Sequence, residues 1–108
     1  MRKYVALIDH EDEKAVEEAL RLTHYEKKYD LIRYALRKAL ENLPEFISFS
    51  VQRKRKKNNG VTTPLYAGFN GWEEQTFLEI LKKVNQIRKT TKSDLLKDII
   101  YFVLYKII

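Results

Sequence analysis

Few side chains in this sequence are spaced for chemistry. Two histidines, His10 and His24, stand 14 positions apart and there is no cysteine. His10 falls in an acidic stretch that opens a helix and His24 near a helix end, so no metal site is expected from them. The missing thiols also exclude a disulfide framework, a thiolate zinc site and a cysteine nucleophile. The cluster "DHEDE", Asp9 to Glu13, is local and is expected to be exposed. It reads as a complement to a helix dipole, not as a general acid–base pair. No Gly-rich phosphate loop or nucleophile motif appears. The expectation is a protein that is no enzyme, with no cofactor, no metal and no small-molecule substrate.

The residues that do suggest a partner are cations. "VQRKRKKNNGV", Val51 to Val61, holds five in a row, Arg53, Lys54, Arg55, Lys56 and Lys57, beside a turn signal. Residues 1–45 carry nine Lys/Arg against ten Asp/Glu, residues 46–61 five against none, and residues 62–108 seven against five. The net charge of +6 is therefore mostly this block. Positive charge concentrated on an otherwise balanced chain suggests a polyanion, either nucleic acid or an anionic membrane surface, or else a solvated loop.

The elements around the block have to decide. At 108 residues, 44% hydrophobic and 33% charged, the chain is one small globular domain or two units sharing a core. "RKYVALI" reads as a strand. Asp9 is a plausible N-cap for a helix carrying Ala15, Val16, Ala19 and Leu20 at helical spacing. A second helix, "YDLIRYALRKALENL", places Leu31, Ile32, Ala35, Leu36, Ala39, Leu40 and Leu43 on one stripe, and Pro44 is expected to end it. The order then repeats: strand "TPLYAGF", helix "GWEEQTFLEILKKVNQI" capped by Asn70 with Glu73 at N3, and helix "SDLLKDIIYFVLYKII". An offset of 61 aligns the first helices of the halves and an offset of 64 the second helices. One strand with two helices cannot bury its apolar face alone, whereas two copies pair their strands over four interlocked helices. The predicted class is α+β, with repeats at 1–45 and 62–108 joined by a basic linker, 46–61. In that linker "FISFSVQ" is read as an extra strand leading to a hairpin at Asn59–Gly60.

The doubled unit resembles the ribbon-helix-helix family of transcription regulators. "TTKSDLL", Thr90 to Leu96, looks like the family's Ser-Lys-Ser-Glu-x-Ile opening of the second helix, and "EKKYDLI", Glu26 to Ile32, like a degenerate copy with Tyr29 where Ser is usual. Family members are normally homodimers, so this chain would be a monomeric pseudo-dimer. That tandem form looks like regulators encoded by filamentous viruses of hyperthermophilic archaea, whose setting would be the host cytoplasm. A sequence-specific regulator of double-stranded DNA is the function the resemblance implies, its ribbon in the major groove and its helix N-termini on phosphates. Carried over, the phosphate contacts fall on Thr91, Lys92 and Ser93 and on Lys27, Lys28 and Tyr29, with Arg53 to Lys57 as a further anchor. Strand alternation turns Tyr4, Ala6, Ile8, Leu65, Ala67 and Phe69 inward. The groove-facing set is then Lys3, Val5, Leu7, Pro64, Tyr66 and Gly68, with less hydrogen-bonding chemistry than the family usually offers.

The last helix is apolar nearly all round, nine of ten residues from Ile99 onward. Such a helix is either central to the core or partly exposed. In the second case Ile100, Phe102, Val103 and Leu104 would let molecules associate along DNA. The other functions in view are a low-specificity architectural DNA binder and an antitoxin-like protein-interaction module. A membrane partner is not expected: "IIYFVLY" is too short to span a bilayer, no long amphipathic helix accompanies the charge, and the acidic N-terminal region is no signal peptide.

Overall fold

The computed structural model describes residues 2–108. It is α+β, a two-stranded antiparallel sheet with five α-helices among the described residues. Strand β1, Arg2–Ile8, leads into α1, His10–Thr23, and α2, Lys28–Glu41. Helix α3, Leu43–Gln52, precedes an irregular basic segment. Strand β2, Thr63–Phe69, is followed by α4, Gly71–Asn85, and α5, Lys92–Phe102, which runs on as a π-helical turn over Val103–Ile107. No helix is long and apolar enough to cross a membrane among the described residues.

The strands pair from Arg2↔Phe69 through Val5↔Tyr66 to Ile8↔Thr63. Arg2 and Thr63 are 61 positions apart, and so are Ile8 and Phe69, so the repeat offset converts one end of the ladder into the other. Alternation does the expected sorting. Ala6, Ile8, Leu65, Ala67 and Phe69 are buried and Tyr4 is half-buried, whereas Lys3, Val5, Leu7, Pro64 and Tyr66 face solvent. Gly68, on the same outer face, is partly covered. Beneath the sheet the helices cross over: α5 packs on β1 and α2 on β2, and α2 and α5 pack on each other. The apolar stripe of α2, from Leu31 through Ala39, is wholly inside, although Leu40 is left exposed.

Two expectations are corrected. The segment expected as an extra strand is helical. Leu43, Phe46, Ile47, Ser50 and Val51 recur at i, i+3, i+4, i+7 and i+8, and Phe46 and Ser50 are buried on that face. Pro44 does not merely end α2; it occupies the first turn of α3, where its missing N–H costs nothing. Gly60 does take a left-handed conformation (φ 79°), but no strand precedes it to form a hairpin.

The last helix is the second correction. Ile100, Phe102 and Val103 are buried, Leu104 is half-buried, and only Tyr105 and Ile108 are large exposed apolar residues there. The first three are therefore not available as a self-association surface. The end of α5, from Ile99 to Phe102, is apolar all round because it is surrounded: α1, α2, α3 and β1 all pack on this helix. Phe46 and Phe49 meet the Phe102 ring edge-on at 5.3 and 5.5 Å between centroids.

Candidate nucleic-acid interface

The positions expected to read bases form the bare outer face of the ribbon. Its three cross-strand rows are Lys3↔Gly68, Val5↔Tyr66 and Leu7↔Pro64. Val5, Leu7 and Tyr66 are each at least half exposed, at 50, 52 and 59%. No acid stands on this face. Carboxylates at the two ends of the ribbon are engaged: Glu74 accepts a hydrogen bond from the Tyr4 hydroxyl and Glu13 from the Thr63 hydroxyl.

The helix N-termini expected to hold phosphates are unequal. Thr91 caps α5, accepting from the Asp94 N–H, while the Asp94 carboxylate accepts from the Thr91 N–H. Thr91 and Lys92 are exposed and Ser93 is partly so. The Lys92 ammonium lies 5.2 Å from the centre of the Tyr4 ring, beside the ribbon. Helix α2 begins after Lys27, which supplies no side-chain cap. Lys27, Lys28 and Tyr29 are all exposed, with the Lys27 ammonium over the Tyr29 ring.

The basic block divides. Arg53 donates through Nε to Asp98 Oδ1 (2.6 Å) and Arg55 through Nη2 to Asp98 Oδ2 (2.5 Å), while the Ser50 hydroxyl gives Asp98 a third bond (2.6 Å). Asp98 and Ser50 are fully buried. A carboxylate removed from water needs this density of donors. The Arg53 guanidinium also covers the Tyr101 ring at 4.6 Å. Lys56 reaches the buried Asp9 at 2.5 Å. The Lys56 ammonium, helped by the Asp12 N–H, holds the Asp9 carboxyl well below the usual carboxylate range despite burial. Arg53, Arg55 and Lys56, expected with the other two as outward phosphate anchors, are instead engaged by buried carboxylates. Among the described residues Lys54 and Lys57 are exposed and make no ion pair.

A further set of residues, unnoticed from sequence, ties the halves together. The capping box of α1 joins Asp9 to Asp12 and that of α4 joins Asn70 to Glu73; Asp12 and Glu73 are both buried. Each is met by a cation from the second helix of the other half: Arg33 Nε donates to Glu73 at 2.8 Å, and Lys97 Nζ lies 3.4 Å from Asp12. Arg33 and Lys97 are 64 positions apart and Asp12 and Glu73 61 apart, so the repeat offsets alone could have flagged this pair. Tyr101 donates to Asp12 at 2.7 Å; burial first, and that carboxylate second, push its hydroxyl well above the ordinary tyrosine value. Arg88 caps the end of α3, donating to the carbonyls of Ser50, Val51 and Arg53.

Fold and surface together define a small α+β protein with an uncovered two-stranded ribbon braced from below. The chain matches no family model, no curated protein and no solved structure.

Proposed function

We propose that the chain is a transcription regulator that binds double-stranded DNA as two tandem ribbon-helix-helix units folded into one pseudo-dimer. The observation that carries this reading is the ribbon: a ladder symmetric under the repeat offset, covered by crossed helices on one face and bare on the other. The reciprocal braces Arg33–Glu73 and Lys97–Asp12 support the pseudo-dimer. A major groove about 12 Å wide accepts a two-stranded ribbon. Lys27, Lys28, Thr91, Lys92 and Ser93 then lie at the flanks where phosphates pass, with Lys54 and Lys57 as the part of the basic block free to join them.

A second reading, coating of DNA with little sequence preference, is favoured by one feature: of the six outward residues only Lys3 and Tyr66 carry hydrogen-bonding side chains. One experiment separates them. The protein is mixed with a random duplex pool at moderate salt, and the retained DNA is sequenced. A short enriched motif supports the regulator. Retention without enrichment supports coating, and no retention overturns both.

A further inference from the structure

We propose that the ribbon recognises the C5-methyl groups of pyrimidines in the major groove, reading them with Val5, Leu7, Pro64 and the ring of Tyr66. This rests on the proposed DNA binding and names what that face selects. Four of its six residues carry apolar groups, and three of these are half or more exposed without any protein element above them. An uncovered apolar strip is costly in water, and on a face meeting DNA it needs an apolar counterpart. In the major groove that counterpart is the methyl group, carried by thymine and by methylated cytosine.

Charge around the strip selects this occupant over a protein surface. Lys3 stands on the face itself and Lys92 lies at the Tyr4 end. At the other end Asn58 donates to the Leu7 carbonyl at 3.0 Å, which fastens the basic segment, with the exposed Lys57 one residue earlier, at the last row. An apolar strip between cations, with no acid on the face, complements a groove whose floor bears methyls and whose rims bear phosphates.

The rows also differ along the ribbon. Lys3 and Gly68 form one end, and Leu7 and Pro64 the other. Successive outward rows are about 6.8 Å apart, close to two base-pair steps of ~3.4 Å. The site read is therefore polar in sense, with methyl-bearing pyrimidines under Val5, Tyr66 and Leu7 and a purine acceptor within reach of Lys3 about four base pairs away.

The test uses mixed-sequence duplex pools made with thymine or with uracil, which differ only in that methyl. Loss of one buried methyl costs roughly fourfold in affinity, so the thymine pool should bind several-fold tighter. A third pool carrying 5-methylcytosine in place of cytosine should bind tighter still. The variant V5S/L7S, altered only at exposed positions and stripped of two of the four apolar readers, should show a clearly smaller thymine-over-uracil preference while keeping the parent's circular dichroism. Equal affinity of the parent for those two pools overturns the methyl reading and leaves DNA binding standing. A preference undiminished in the variant overturns the assignment to the ribbon's outer face. Failure to retain any pool overturns the DNA-binding proposal beneath it.

Discussion

Asp9 and Asn70 hold the same place in their halves, each capping a helix whose N3 carboxylate closes the box, yet one is an acid and the other an amide. Under each box the same brace recurs, a cation from the opposite second helix on a buried carboxylate. The extra charge on Asp9 needs something more, and Lys56 supplies it. Asp98 shows the same contrast. Its counterpart 64 positions back is Tyr34, which packs against Tyr25 and brings no charge, whereas Asp98 is buried and takes both Arg53 and Arg55. The two buried carboxylates without an acidic counterpart are thus the two that the basic segment neutralises. What looked like five charges aimed at a polyanion is, for three of them, internal compensation.

Removing Asp98 should break this difference most severely. Asp98→Ala leaves Arg53 and Arg55, both largely buried, without their counterion, and a loss of about 3–5 kcal/mol is expected in urea denaturation. A loss below about 1 kcal/mol would mean that the arginines find water at once and that the segment is not fastened there. The braces rank next. A double-mutant cycle on Arg33 and Glu73 should give a coupling of about 1.5–3 kcal/mol, because the bond is short, charge-assisted and buried at Glu73. The same cycle on Lys97 and Asp12 should give under about 1 kcal/mol, since the contact is longer and Asp12 keeps the Tyr101 hydroxyl. Equal couplings would erase the distinction between the halves.

The contrast also explains which parts of the molecule were legible in sequence. Strand facing was, because a period of two leaves only two choices and Ile8 and Phe69 each precede a strong N-cap. Helix α3 was misread because Phe46, Ile47, Phe49 and Val51 are strand-formers by type and the last three alternate; the helical face includes a polar residue, Ser50, beside Leu43, Phe46, Ile47 and Val51. The apolar tail of α5 left core and surface open, since periodicity says nothing when every position is apolar. The basic block was legible as density but not as contacts. Its partners lie far along the chain, Asp98 43 residues from Arg55 and Asp9 47 residues from Lys56, and no local pattern links them.

Asp9→Asn sharpens the comparison by making the first box resemble the second. Asparagine still caps, as Asn70 does, so only the charge and its attraction to Lys56 are lost. A destabilisation of about 1–2 kcal/mol at pH 7 is expected, discounted because Lys56 is partly in water. The sign with pH follows from the direction of the shift. Folding depresses the Asp9 value, so its contribution is complete above the ordinary value near 3.8 and fades as pH falls below it toward the folded value. Stability curves of parent and variant should therefore converge in acid. A gap that stays constant from pH 7 to 3 would show that the loss is steric.

The smallest effect on stability is expected from Lys54→Ala with Lys57→Ala, and it bears most directly on function. Neither residue has an ionic partner among the described residues, so the pair should change stability by no more than about 0.5 kcal/mol. If both touch phosphate, their loss flattens the log–log dependence of DNA affinity on salt by about 2 units. Lys27→Ala with Lys28→Ala, at the uncapped start of α2, makes the matching measurement on the other flank. An unchanged slope in the first variant beside a flattened one in the second would confine phosphate contact to the helix ends. The basic segment would then serve the interior alone, because its two remaining lysines would be as solvated on DNA as off it.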